Sequence, residues 1–149
     1  MDVAVQIRKI DRNGKPLKQL NYPCPVPEEE VPNVNTAKTL GPQGFLRASH
    51  RVTLDRSKSS SDVDLFYTHR FAEKISPGTK VRLEIPIWPI GMVFAPGEGI
   101  LLRISGHDMC LPEIPSCRLD EPEDENVGIT TLHTGGKFDS SLTLPFILG

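Results

Sequence analysis

Apolar and polar residues alternate most regularly between Ser76 and His107, and the alternation predicts two strands. Val81, Leu83, Ile85 and Ile87 fall on one side of an extended chain, with Arg82, Glu84, Pro86 and Trp88 on the other, which is the period of a half-buried strand. Pro77-Gly78 opens this strand as a turn. After Ala95-Pro96-Gly97, a second strand carries Ile100, Leu102 and Ile104 on one face and Arg103 and Ser105 on the other, and stops at Gly106. Pro86 and Pro89 cannot donate to a ladder, so the first strand should end at a sheet edge or a bulge. Trp88 then stands beside an opening or a partner surface.

The same periodicity organises the rest of the chain. Val3, Val5 and Ile7 alternate with Ala4, Gln6 and Arg8 as a strand, closed by Asp11-Arg12-Asn13-Gly14, where Asn-Gly accepts positive φ. From Leu20 to Thr39 prolines and three consecutive glutamates read as a long, extended and exposed connection. Leu46, Ala48, His50 and Val52 alternate with Arg47, Ser49 and Arg51 as a strand that carries a histidine on its more apolar side. Arg56 to Asp62 is a polar loop, and Leu65 to Ile75 is either a short helix or an irregular crossover. Met109 to Asn126 reads as a second long loop whose acidic run is a solvated face, lacking the glycine and alternating ligands of a calcium loop. Ile129 to Leu132, Gly135-Gly136, Leu142 and Leu144 read as a closing hairpin.

Composition narrows the class. Fourteen prolines and twelve glycines scattered between short apolar runs favour strands and turns over helices. A length of 149 residues suits one domain, 1–149. A net charge of -2 and a pI near 6.1 give no attraction to nucleic acid or an anionic membrane. The N-terminus has no secretory pattern, and no run long enough to span a membrane is present. Cys24, Cys110 and Cys117 are odd in number and lack paired zinc spacing, which suits free thiols in a reducing, cytoplasmic setting.

Candidate chemistry is sparse. The G-x-S-x-G elbow of an α/β-hydrolase does not occur, and Ser105 to Asp108 are too close in sequence to converge as a triad. The four histidines, His50, His69, His107 and His133, lie on separate segments without an H-x-H pair, so no metal site and no cofactor is expected. His107, Asp108, His133 and Asp139 are the acid/base candidates, since they flank the end of the I-S-G strand and the Gly-Gly turn. The bland alternative is that they tie two turns together. Trp88, Met92 and Phe94 are candidate partner or ligand contacts. Trp88 serves either as a sugar platform or as an apolar plug against a partner, the latter being the preferred reading.

Several of these segments carry a resemblance. The string L-E-I-P-I-W-P-I-G-M-V-F, the Pro-Gly turn, and the strand ending I-S-G-H-D resemble the C-terminal domain of X-prolyl dipeptidyl-peptidase and cocaine-esterase-like serine hydrolases (the CocE/NonD family). Val5 to Leu17, Leu40 to Arg51 and Leu132 to Pro145 fit the same pattern, in the same order. The resemblance implies an all-β jelly-roll β-sandwich, galactose-binding-domain-like, with long Pro-rich loops. In the family it packs on an α/β-hydrolase domain that holds the catalytic residues. It also implies that the first strands of the parent sandwich are missing here. Bare edges and an uncovered apolar face would then require a homodimer or a separately encoded hydrolase domain. Two functions follow: a non-catalytic accessory and interaction domain, or a stand-alone small-molecule enzyme (cyclase, isomerase or hydrolase-like) that holds a small apolar ligand in a sandwich pocket beside a His/Asp pair.

Overall fold

The computed structural model describes residues 1–18, 25–32, 38, 41–107, 109 and 126–147. The fold is all-β. Strand β1 (Asp2–Ile10) is the middle of a three-stranded antiparallel sheet, flanked by β2 (Gln43–Arg47) and β3 (Gly99–Ser105). Val5 stands opposite Gly44 on one side and Ile104 on the other, and Ile7 stands opposite Leu102. One face therefore collects Val3, Val5, Ile7, Leu46, Leu102 and Ile104, while Asp2, Ala4, Gln6, Phe45 and Arg103 share the other.

The hydrogen-bond phase of the sheet follows from two bonds just beyond the paired residues. The Ile7 N–H donates to the Pro42 carbonyl at 2.9 Å and the Ala48 N–H to the Met1 carbonyl at 2.9 Å. Gln6–Gln43 and Asp2–Arg47 are thus non-hydrogen-bonded pairs, and odd-numbered residues of β1 bond to β2 while even-numbered ones bond to β3. Consequently the Gln43 backbone faces away from β1, and so do the N–H and C=O groups of Ile100, Leu102 and Ile104.

As the middle strand, β1 is buried on both faces: Ala4, Val5, Gln6 and Ile7 are all covered. Its buried polar residues Asp2, Gln6 and Lys9 are paired rather than solvated. The Asp2 carboxylate, 0% exposed, accepts from Arg47 Nε at 2.9 Å and Nη2 at 3.1 Å, a bidentate geometry suited to a buried pair. Gln6 Oε1 accepts from Arg103 Nη1 at 3.1 Å. At the far end Lys9 meets Glu98 at 2.7 Å and its ammonium stands 5.7 Å from the Phe94 ring centroid.

The turns form as the sequence predicts. Gly14, Gly78 and Gly97 all take positive φ, and Thr79 and Glu98 bond back to Ser76 and Ala95 across the two Pro-Gly turns, the arrangement of a type II turn with Pro then Gly at its centre. Two strand expectations are corrected. The strand containing Leu46 ends at Arg47, and Ala48–Thr53 is a 3-10 helix that bears His50. The β1–β2 register ends at Asp2–Arg47, so past Ala48 the alternation has no ladder to join. The run from Val81 to Trp88 forms no ladder either, and reaches the outer edge of β2 through one bond, Trp88 N–H to the Gln43 carbonyl at 2.8 Å. Pro86 and Pro89 lack the donors that would extend it.

Two further differences concern the loops. In the connection from Leu20 to Thr39, residues 25–30 and 32 are exposed as the composition predicts, but Val31 and Lys38 are buried. A short 3-10 turn, Glu28–Glu30, presents carbonyls to the Lys38 ammonium, which donates to Glu28 O at 2.8 Å and Val31 O at 2.5 Å. Burial holds its pKa below the ordinary lysine value. In the closing hairpin only the turn is made: Gly135 and Gly136 have positive φ and Phe138 N–H bonds Gly135 O at 3.0 Å, without paired strands beside it among the described residues. The crossover from Leu65 to Ile75 is irregular, held to the 3-10 helix region by Asp55 N–H to Phe66 O and Thr68 N–H to Thr53 O. The long loop from Met109 to Asn126, apart from its two end residues, lies outside the described residues, as do all three cysteines.

Candidate functional site

The segment that carries Trp88 is fixed from three directions. Tyr67, buried, donates its hydroxyl to the Glu84 carbonyl at 2.6 Å, and Arg56 pairs with the Glu84 carboxylate at 2.6 Å. Burial, and then the negative charge of Glu84, raise the Tyr67 pKa, so its hydroxyl stays a donor at neutral pH. The segment next crosses β2 at Gly44, where any Cβ would lie far inside van der Waals contact distance of the Pro86 carbonyl oxygen and 3.1 Å from Ile85 Cγ2. Only glycine permits so close a backbone approach. The Trp88 N–H then bonds to the outward carbonyl of Gln43.

The outcome is a backbone held at Glu84, Gly44 and Gln43 that presents an uncovered aromatic ring. Trp88 is 79% exposed, and Ile90 and Val93 beyond it are also exposed, whereas Met92 and Phe94 are half-buried. Aromatic side chains held in place before binding are the usual anchors of protein interfaces, because little ordering entropy remains to be lost.

The acid/base candidates are arranged differently. His107 follows β3, is exposed, and donates its backbone N–H to Ser105 Oγ at 3.1 Å. Asp108 lies outside the described residues. His133 stacks on Phe138 at 4.8 Å and its carbonyl accepts from Ser140 Oγ at 3.2 Å, while Asp139 is exposed. Among the described residues no hydrogen bond or ring contact joins His107 to His133 or Asp139. A shallow cavity of about 200 Å³ opens between Met1, Ser49, Lys74 and Ile75, and none of the candidate side chains lines it.

Two features escaped the sequence. Asn126, at the end of the acidic loop, accepts the Asp2 N–H at 2.8 Å on Oδ1 and donates through Nδ2 to the carbonyls of Gly106 and, at 3.4 Å, Asp2. It clamps the start of β1 to the end of β3. His50 and His69 meet edge to face at 5.1 Å, with Tyr67 at 5.9 Å from His69. His69 has φ 51°, and His50 Nδ1 lies 2.9 Å from the Phe71 carbonyl, so that nitrogen carries the proton. No group of three or more His, Cys, Asp or Glu that would hold a metal ion occurs among the described residues. Nor is any helix there long and apolar enough to cross a membrane.

Comparison with known families places the chain as a whole. The family model described as the X-Pro dipeptidyl-peptidase C-terminal non-catalytic domain matches residues 1–143. The chain belongs to that family. No curated protein and no solved structure matches it. In this X-Pro dipeptidyl-peptidase C-terminal non-catalytic domain, Tyr67 and Asn126 serve packing and strand clamping.

Proposed function

We propose that this chain is an accessory module that docks an α/β-hydrolase catalytic domain of the X-prolyl dipeptidyl-peptidase or cocaine-esterase-like type, and does so through the Trp88 segment. Membership of a non-catalytic family supports a role without bond cleavage. The observation that carries the docking surface is the 79% exposure of Trp88 on a backbone pinned at Glu84, Gly44 and Gln43. Solvent exposure of a large aromatic costs hydration free energy that a partner recovers on binding. A cytoplasmic setting accompanies this reading, since three cysteines without paired spacing suit free thiols.

Calorimetric titration of the purified chain into a separately produced catalytic domain of that type tests the proposal. A hot-spot aromatic is worth about 2 kcal/mol or more, roughly thirtyfold in affinity. Trp88→Ala should therefore weaken binding at least about thirtyfold while leaving the fold intact. Binding that survives Trp88→Ala unchanged removes the docking assignment. Hydrolysis of X-Pro substrates by the chain alone, lost on removing one of its side chains, overturns the accessory role.

A further inference from the structure

The sheet has two outer edges, and the Trp88 segment reaches only one of them. The other is β3, against whose outer side no strand pairs among the described residues. The phase of the ladder leaves the backbone N–H and C=O of Ile100, Leu102 and Ile104 pointing outward from it. On the face it shares with Val5 and Ile7, Leu102 is 38% and Ile104 44% exposed. Natural edge strands are blunted by proline, lysine, a bulge or a covering element. β3, of sequence G-I-L-L-R-I-S, contains neither proline nor lysine and runs without a bulge.

We propose that β3 pairs antiparallel with β3 of a second copy of this chain, about a twofold axis through Leu102. The argument for a copy rather than another partner lies in the symmetry of the strand. With Leu102 opposite its own counterpart, Ile100 of each chain falls opposite Ile104 of the other, and these are the three residues whose backbone groups point outward. Each exchanges both N–H···O bonds with its opposite residue, and all the side chains on that face are apolar. On the reverse face Arg103 falls opposite Leu101, so no like charges stand directly opposite, and Arg103 is already engaged by Gln6. A register shifted by one residue along the partner breaks this match by bringing apolar positions opposite polar ones. The product is a closed, isologous dimer with one continuous sheet, and the Trp88 segment remains at each of its two ends.

The inference goes beyond the docking role and is independent of it, because it uses the opposite edge. A seven-residue edge is small beside the ~1,200–2,000 Å² of standard interfaces, so the association is weak and reversible. Sedimentation velocity from low-micromolar to near-millimolar concentration should show a monomer–dimer equilibrium. Leu102→Lys and Leu102→Glu should each weaken it at least tenfold, by placing like charges opposite one another, and an equimolar mixture of the two should restore a dimer. Trp88→Ala should leave it unchanged, which separates this test from that of the docking surface. A wild-type chain that stays monomeric over the whole range overturns the proposal, as does a dimer indifferent to both substitutions or a mixture that fails to recover. Should the variants not fold, amide exchange of the wild type decides: protection of Ile100, Leu102 and Ile104 rises with concentration if the pairing is right, and an unchanged rate rules it out.

Discussion

Gly44 is the point at which the geometry of the Trp88 segment makes its sharpest demand. A methyl group there runs into the Pro86 carbonyl oxygen, a backbone atom in a segment held on both sides by Tyr67 and Gln43. A fixed obstacle of this kind costs about 1–3 kcal/mol. Displacing the segment also breaks the Trp88 to Gln43 bond, at about 0.5–1.5 kcal/mol. Gly44→Ala should therefore lose about 2–4 kcal/mol, which for a domain of this size lowers Tm by roughly 5–15 °C. Two other glycines provide the contrast. At Gly99 a Cβ meets only the flexible end of Ile10, at 3.3 Å, and at Gly91 it meets nothing within 4 Å. Gly99→Ala should cost under about 1 kcal/mol because the side chain moves aside. Gly91→Ala should be neutral or stabilising by up to about 1 kcal/mol through the unfolded chain. Thermal and denaturant unfolding give the order, and fluorescence of the single Trp reports locally on its segment. If Gly44→Ala proves as stable as Gly91→Ala, Pro86 does not lie against β2 and the reasoning about a pinned Trp88 fails.

Three more outcomes are expected. Asn126→Ala strips the partner from the Asp2 N–H in a fully buried residue and removes two further bonds, so denaturant unfolding should show a loss of about 2–3 kcal/mol, and a loss under about 0.5 kcal/mol speaks against the clamp. Glu98 is held below its usual carboxylate range first by the Lys9 ammonium and then by the Ala95 N–H. The unfolded chain therefore binds the proton first, so this stability is present above about pH 4.5 and drains away as pH falls through the lowered value. Glu98→Gln should flatten that part of the stability–pH curve, and an unaltered curve refutes the assignment. Tyr67→Phe leaves the Glu84 carbonyl without its donor; a loss of about 1–2 kcal/mol in thermal unfolding is expected, with none if the hydroxyl faces water instead.

What the sequence determined by itself was local. Val3, Val5 and Ile7, and Ile100, Leu102 and Ile104, announce β1 and β3 because alternation reports how a single extended chain partitions its two faces. Pro77-Gly78, Pro96-Gly97 and Asn13-Gly14 announce their turns because a preset or positive φ is a property of the residue itself. The family was legible too, through the order of its strings. Other elements depended on partners that no local pattern names. Val81 to Trp88 alternates as well as β1 does, but a ladder needs a neighbour with donors to exchange, and Pro86 and Pro89 leave one bond to Gln43. Leu46 to Val52 alternates past the point where β1 stops facing it, so the chain tightens into a 3-10 helix at Ala48. Asp2, Gln6 and Lys38 are buried although their types favour solvent, because Arg47, Arg103 and the carbonyls of Glu28 and Val31 satisfy them from across the fold. The meeting of Asn126 with Asp2 and of Gly44 with Pro86 belongs to the same class: long-range contacts, decided only when the strands have taken their register.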